Sequence, residues 1–226
     1  MIRTGAVVFA LALTASAAHA AAPGSLAAGA PGHWSVATGE TVSPNADAFR
    51  FDLGWPGISF TYLHGLSERS DMGLQFDLLY GWENTSRSKF GFGFNVPLRL
   101  VVNRKDKVTI GLHIDPGIRV YTGDNVTGGT DFFLRFPVGG ILGVQVTPEL
   151  RIAAAIDLNM ATQFLSHDFG PNAFFEVGPQ FGFAAEYAVD RSLDVGLNVR
   201  FGPQFYSFGG GSDFAFTTAV VIGYRL

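Results

Sequence analysis

The sequence predicts an all-β fold: a single up-and-down antiparallel transmembrane β-barrel of about ten strands, with eight strands as the alternative, after a cleaved signal peptide. Three observations predict it. Apolar and polar residues alternate with a period of two along most of the chain, which is the pattern of β-strands. Short polar turns alternate with longer loops, as consecutive hairpins require. The N-terminus has the composition of an export signal.

Residues 1–20 are predicted to be the signal peptide. One positive charge, Arg3, precedes a short apolar run, and Ala18-His19-Ala20 has the small-x-small pattern of a signal peptidase site. The apolar run is shorter than the roughly 20 residues that a membrane-spanning helix needs. Residues 21–31, rich in Ala, Gly and Pro, are predicted to be a flexible leader, and residues 32–226 the barrel domain.

Period-two alternation locates the strands. In the last strand Val220, Ile222 and Tyr224 share one face, while Gly223 and Arg225 share the other. Side chains alternate between two faces only in extended chain, so these segments are strands and not helices. The predicted strands are 32–39, 48–64, 70–82, 89–102, 107–121, 131–146, 150–161, 173–187, 192–203 and 213–226.

Two kinds of connection alternate between these strands. The short turns lie at 67–70, 103–106, 147–149 and 189–192, and the longer loops near 40–47, 83–89, 122–130, 162–172 and 204–213. An even number of strands places both ends of the barrel chain on the side of the short turns. The alternation slips by one residue at Trp55-Pro56-Gly57, which predicts a β-bulge inside the strand at 48–64.

The apolar face is predicted to point outward into lipid. Each apolar stripe covers about 9–13 residues, the length that a tilted strand needs to cross a bilayer. The other face is poor in charge, and charged residues are 15% of the whole chain, against about 25–35% for a water-facing surface. Aromatic residues gather at the stripe ends, as in interfacial girdles: Trp55, Tyr80, Trp82, Tyr121, Tyr187 and Tyr224. The alternative is a secreted, lipocalin-like carrier with its apolar face inward.

Composition excludes several classes of function. The chain has no cysteine, which excludes a disulfide scaffold, a cysteine-ligated zinc site and a thiol nucleophile. Its formal net charge of −4 argues against nucleic acid as a partner, because phosphate binding needs a basic surface. We expect no cofactor, no metal site and no catalytic residues.

The features above resemble the small outer-membrane β-barrel proteins of Gram-negative bacteria. The resemblance covers nearly the whole chain after residue 20 and includes its C-terminal strand, where Ile222, Gly223, Tyr224 and Leu226 are similar to the signal read by the barrel-assembly machinery. The family usually ends in Phe or Trp, and this chain ends in Leu226. The resemblance implies location in the bacterial outer membrane and contact with the lipid bilayer, lipopolysaccharide and, during assembly, that machinery.

The polar face then points into the lumen, where its charges are predicted to neutralise one another. Arg outnumbers Lys twelve to three, and the Arg fork suits paired, partly desolvated carboxylates. This predicts a lumen filled mostly by ion pairs, and a structural, surface-interaction or narrow-pore role. The predicted network consists of Asp77, Arg99, Asp115, Arg119, Arg135, Asp157, Glu176, Asp194, Arg200 and Arg225.

The alternative function is an outer-membrane hydrolase that acts on lipid or peptide. Ser166-His167-Asp168 brings suggestive residue types together in a loop, but sequence neighbours rarely form a working triad. His113 and Asp115 share the inward face and could pair a base with its orienting acid. No serine occupies a neighbouring lumen position, so a buried histidine satisfied by an acid is the simpler interpretation.

Overall fold

The computed structural model describes residues 34–83, 89–122, 130–165, 173–207 and 211–226. In these residues thirteen hydrogen-bonded segments form one antiparallel sheet, and no helix has the length and apolar character needed to cross a bilayer. The segments are β1 (Asp47–Trp55), β2 (Gly57–Ser67), β3 (Ser70–Leu79), β4 (Phe90–Asn95), β5 (Leu98–Lys105), β6 (Val108–Ile114), β7 (Gly117–Thr122), β8 (Thr130–Arg135), β9 (Val138–Gln145), β10 (Leu150–Leu165), β11 (Ala173–Ala188), β12 (Leu193–Tyr206) and β13 (Ser212–Arg225).

The thirteen segments make ten wall strands, because three wall strands are interrupted at proline. Pro97 separates β4 from β5, Pro116 separates β6 from β7, and Pro137 separates β8 from β9. Proline has no N–H to give to the ladder. Each of these proline carbonyls still accepts a hydrogen bond from the neighbouring strand, at 2.8, 2.8 and 3.0 Å. The wall therefore continues across each interruption, and the predicted ten-strand up-and-down barrel is confirmed.

The barrel closes where its first strand meets its last. β1 pairs antiparallel with β13, from Ala48 opposite Arg225 to Trp55 opposite Thr218. The start of β1 and the end of β13 thus lie together at the end that carries the turns at 68–69, 106–107, 146–149 and 189–192. We call this the short-turn end and the opposite one the loop end.

The predicted strand at 32–39 is wrong, and so is the predicted bulge at Trp55-Pro56-Gly57. Residues 34–46 form no strand, and the chain reverses at Pro56, where β1 ends and β2 begins. Proline and glycine both favour a chain reversal, and a reversal shifts the alternation just as a bulge does. The segment 48–64 therefore supplies two wall strands instead of one. The total stays at ten because the predicted strand at 32–39 is not part of the wall.

Apolar side chains cover the outside of the barrel, as predicted. Phe94, Leu100, Leu197 and Ile222 are 44%, 46%, 48% and 40% exposed, whereas polar and charged side chains predominate among the buried ones in the described residues. A lipocalin-like carrier needs the reverse arrangement, so that alternative is wrong for this chain. An apolar exterior around a polar interior is the arrangement of a barrel that faces lipid.

Part of the predicted aromatic girdle lies inside the barrel instead. Tyr80, Tyr187 and Tyr224 are exposed on the outer face as predicted. Tyr121 is 2% exposed and stacks on Trp82, with ring centroids 5.4 Å apart and planes 8° from parallel. Tyr121 has the same parity as Arg119 on β7, so the pleat turns both side chains inward.

Candidate functional site

Residues 34–42 lie inside the barrel at the short-turn end, and we call them the N-terminal plug. Every residue of this segment except Gly39 is buried. The carboxylate of Glu186 on β11 accepts hydrogen bonds from four donors of the plug: Ser35 Oγ (2.5 Å), Val36 N (3.0 Å), Ala37 N (3.3 Å) and Thr38 Oγ1 (3.1 Å). Buried backbone amides need hydrogen-bond acceptors. The Glu186 carboxylate supplies the acceptors that a neighbouring strand would provide in a sheet.

A second carboxylate, Asp71 on β3, holds the other end of the plug. Asp71 accepts a hydrogen bond from the Val42 amide at 2.7 Å and binds the guanidinium of Arg99 through both oxygens, at 2.8 and 2.5 Å. Arg99 also donates to the carbonyl of Ser35 at 2.9 Å, and Arg50 donates to another plug carbonyl at 2.7 Å. Ion pairs of the wall thus bind the plug backbone directly.

Further contacts reach both ends of the plug. Glu40 forms an ion pair with Arg104 near the short-turn end of β5, with Nε 3.1 Å from the nearer carboxylate oxygen. The carbonyl of Trp34 accepts a hydrogen bond from Arg151, and the Trp34 ring lies 5.7 Å from the guanidinium of Arg225. The plug is therefore bound by several wall strands at once.

Glycines make room for the plug on three different strands. A Cβ at Gly111 or Gly143 would lie 2.8 or 2.1 Å from a carbonyl oxygen of the plug, and a Cβ at Gly223 would lie 2.8 Å from the side chain of Val36. Real side chains do not approach so closely, so larger residues would displace the plug. An eight-stranded barrel is just wide enough for its side chains to fill it, and in this wider barrel the plug occupies part of the remaining space.

The middle of the lumen holds a histidine between two carboxylates. His113 Nδ1 lies 2.7 Å from Asp115, and Nε2 lies 2.7 Å from Asp157. Asp157 also faces Arg200, whose Nη1 is 3.2 Å away. A Cβ at Gly139 would lie 1.9 Å from a carboxylate oxygen of Asp157, so the glycine makes this arrangement possible.

A cavity of about 220 Å³, lined by both polar and apolar residues, surrounds this cluster. The plug residues Val36 and Ala37 border it toward the short-turn end, and Glu83 borders it toward the loop end. Several charged and polar side chains of the wall face it: Arg50, Asp52, His113, Asp115, Gln180 and Arg200.

Five side chains lie in the lumen on the loop-end side of the cavity, and we call them the loop-end layer: Asp77, Glu83, Arg119, Arg135 and Asn159. Glu83 forms ion pairs with Arg119 and with Arg135, the latter at 3.1 Å. Arg135 also donates to the amide oxygen of Asn159 at 3.0 Å, and Arg119 lies 3.7 Å from Asp77. Four wall strands and one connecting segment therefore meet at this layer.

Glu83 reaches the lumen because β1 is short. Residues 212–217 of β13 extend beyond the end of β1 and have no partner in it. The segment 80–83 fills this gap: two of its amides donate to the carbonyl of Pro56 at 3.0 and 2.9 Å, and Phe216 N donates to the carbonyl of Glu83 at 3.0 Å. The segment completes the wall and brings the Glu83 side chain to the two arginines.

Burial alone would raise the pKa of the Glu83 carboxyl, but the charges of Arg119 and Arg135 outweigh burial and lower this pKa from 4.5 to about 2. A carboxyl whose pKa is lower in the folded state stabilises the fold above its ordinary pKa, and this contribution is lost as the pH falls through the folded value.

Glu83→Gln provides the test. The free energy of unfolding of wild type is expected to exceed that of Glu83→Gln most clearly above pH 4.5, and the difference should disappear as the pH falls toward 2. Denaturant titrations of both proteins in vesicles at several pH values measure this difference. A difference independent of pH would show that Glu83 is not held ionised by the arginines.

The ten residues of the predicted network lie on the inner face, but many of their partners differ from those expected. Arg119 faces Asp77 and Arg200 faces Asp157, both within the predicted set. Arg99 and Arg135 instead form ion pairs with Asp71 and Glu83, which the prediction did not include. Of the remaining members, Asp115 contacts His113, Glu176 and Asp194 are buried, and Arg225 lies beside Trp34.

The predicted assembly signal lies on β13 and just beyond it. Ile222, Tyr224 and Leu226 point outward and are 40%, 49% and 67% exposed, while Gly223 faces the plug. The predicted signal peptide, the predicted leader and Ser166-His167-Asp168 lie outside the described residues.

Among the acids that the sequence analysis missed, four hold the plug or the loop-end layer. Asp71 and Glu186 have the same parity as the inward Asp77 and Glu176 on their own strands, so alternation could have identified them. Glu40 and Glu83 lie outside the strands, in segments where alternation gives no direction.

This fold and its interior define the class: a closed, ten-strand, membrane-type β-barrel with an apolar exterior and buried ion pairs inside. The chain matches no family model and no curated protein. It is similar to the outer membrane protease OmpT from Escherichia coli, with 8% identity over 80% of this chain and 93% of that one and a TM-score of 0.46.

A second similar structure is the outer membrane channel DcaP of Acinetobacter baumannii. Identity is 17% over 84% of this chain, and the TM-score is 0.31. This chain spans 56% of the DcaP chain, so just over half of its length. Neither similarity transfers an activity to this protein.

Proposed function

We propose that this protein is a bacterial outer-membrane β-barrel whose lumen is closed at rest, with a structural or surface-interaction role. One observation carries the proposal: the N-terminal plug and the loop-end layer occupy the lumen on either side of the 220 Å³ cavity. A diffusion channel needs a continuous water-filled path, and wider barrels than this one provide it.

The charges of the lumen support the same proposal. The side chains of Asp71 and Arg99 are 0% and 13% exposed, and those of Glu83 and Arg119 are 10% and 11% exposed. Charges removed from water to this extent are stable only when they are paired and hydrogen-bonded. The arginines of an open pore would instead be hydrated and available to passing ions.

The proposed location rests on three features of the chain. The apolar exterior suits a bilayer, the N-terminal sequence suits export, and the outward residues of β13 suit recognition by the barrel-assembly machinery. The partners that follow from this location are the lipid bilayer, lipopolysaccharide and, during biogenesis, that machinery.

The alternative function, a hydrolase, would need a catalytic base. Among the described residues, His113 is the histidine that borders the cavity, and its contacts give this function little support. Both ring nitrogens of His113 contact carboxylates, those of Asp115 and Asp157. A base that activates a serine or threonine needs one ring nitrogen within reach of that hydroxyl. The contacts of His113 fit a positioned, buried histidine better than a catalytic base.

Planar-bilayer recording tests the proposed closed state. The purified full chain is expected to insert without steady conductance, because the plug and the loop-end layer block the lumen. An open trimeric porin, measured under the same conditions, confirms that insertion is detectable. A steady, cation- or anion-selective conductance of the unmodified protein would contradict the closed lumen.

A further inference from the structure

We infer that the N-terminal plug is removable, and that its withdrawal admits small polar solutes from the short-turn end into the 220 Å³ cavity. This inference rests on the proposed closed lumen, because a plug has this effect only in a barrel that is otherwise shut. The occupant we infer is a small solute that carries hydrogen-bond acceptors.

Withdrawal of the plug breaks no part of the barrel wall. Residues 34–42 belong to no strand, and they precede β1 in the chain. The ladder from β1 to β13 and back to β1 therefore remains intact when the plug leaves. The connection to β1 includes Pro44 and Asn45, which are exposed, and a hydrogen bond from Asn45 N to the carbonyl of Gly65 fixes its position at 2.9 Å.

The contacts that hold the plug are of the kind that water can replace. Its backbone binds the side chains of Glu186, Asp71, Arg99 and Arg50, and none of these bonds belongs to a strand ladder. When the plug leaves, Asp71 and Arg99 remain paired with each other, and water can solvate the groups that are freed. The buried apolar side chains of the plug, including Trp34, favour its return.

The cavity wall indicates which solutes fit. Gln180 borders the cavity and is 5% exposed, and its Nε2 is buried without a hydrogen-bond partner in the described part of the chain. Arg200 Nε, on the neighbouring strand, is also buried without a partner there. The acids of this wall are already engaged, Asp52 by Arg50 and Asp157 by His113. Among the described residues that border the cavity, the buried groups without a hydrogen bond are three donors, with Arg119 Nε as the third, and one acceptor, Asp157 Oδ2. That acceptor has the charge of Arg200 Nη1 at 3.2 Å. Donors therefore predominate, and a solute with acceptor oxygens complements them.

Thiol labelling inside the cavity tests this inference, because the chain has no native cysteine. Thr217→Cys places a thiol on the cavity wall. The probe is a small methanethiosulfonate that carries a sulfonate, and a maleimide on a long polyethylene glycol serves as the probe that is too large to enter. Lys107→Cys, in an exposed turn, reports the reactivity of an unshielded thiol toward both.

Two glycine variants on β9 test the role of the plug: one is designed to displace it, and the other is the matched control. Gly143→Val places a side chain where the Cβ itself would lie 2.1 Å from a plug carbonyl, so it expels the plug. Gly140→Val, three residues earlier on β9, meets no atom closer than 3.6 Å and leaves the plug in place. Shifted mobility of unheated samples on gels shows whether each barrel is folded.

In the wild-type background we expect Thr217→Cys to react slowly with the small probe, at a rate set by withdrawal of the plug. Gly143→Val should raise this rate by about tenfold or more, and Gly140→Val should leave it unchanged. The large probe should react only at Lys107→Cys.

Several results would overturn the inference. They are equal labelling rates in both glycine variants, and complete protection of Thr217→Cys in the wild-type background. Failure of Gly143→Val to fold, while Gly140→Val folds, would show that the plug cannot leave an intact barrel. Conductance of the wild type distinguishes the two proposals, since steady current contradicts the closed state, whereas protected thiols in a silent barrel contradict only the removable plug.

Discussion

Leu197→Arg is expected to lower the free energy of unfolding in lipid vesicles by about 2–4 kcal/mol, the cost of a charge on the lipid face near the bilayer midplane. Leu197 is 48% exposed on the outer face, similar to Phe94, Leu100 and Ile222. Arginine at this position would have to displace lipid contacts with a charged group, and its side chain is too short to reach water without disturbing the bilayer.

Asn198→Arg is the matched control, one residue further along β12 and facing the cavity. Its charge enters a polar space, so the depth-dependent cost of the lipid face does not apply. Denaturant titrations of both variants in vesicles measure the two changes. Equal losses of stability at Leu197 and Asn198 would mean that the inner and outer faces are assigned incorrectly.

Asp71→Ala is expected to destabilise the barrel by about 3–5 kcal/mol, because it removes one partner of a buried ion pair. Asp71 is 1% exposed and binds Arg99 through both carboxylate oxygens. Without it, the guanidinium of Arg99 keeps the carbonyl of Ser35 and loses its counter-charge, and the Val42 amide loses its acceptor.

Glu68→Ala, in the exposed turn between β2 and β3, removes the same charge from the same hairpin. This surface change should alter the free energy of unfolding by no more than about 0.5 kcal/mol. The comparison separates the effect of pairing from the effect of net charge. Similar small losses for both variants would show that Arg99 is hydrated and that water enters this part of the lumen.

Alternation in the sequence predicted eight of the ten wall strands and the face of most charged residues, and it assigned the first two wall strands incorrectly. Leu197 and Asn198 lie on the faces that alternation assigns to them, and so do Asp77 and Asp157. A pattern of period two follows from backbone geometry, and it survives wherever one face meets lipid and the other meets polar groups.

The plug and Glu83 could not be predicted in the same way. The residues around Trp34 and Val36 alternate between apolar and polar like a strand, yet they lie inside the barrel. There the apolar side chains pack in a buried cluster, while the polar side chain of Ser35 binds Glu186, so the same alternation arises without a strand. The position of Glu83 depends on β1 ending six residues short of the start of β13. That difference in length is a property of the closed barrel and is not visible in either segment alone.

The attachment of the plug to β11 sets an order of folding events. The hydrogen bonds between the plug and Glu186 join residues that are 148 to 151 positions apart in the chain. Contacts so distant in sequence carry a large loop-closure entropy, and proteins rich in them fold slowly. Glu186 cannot receive the plug until β11 has taken its place beside β10. The first described segment to be synthesised is therefore among the last to become ordered.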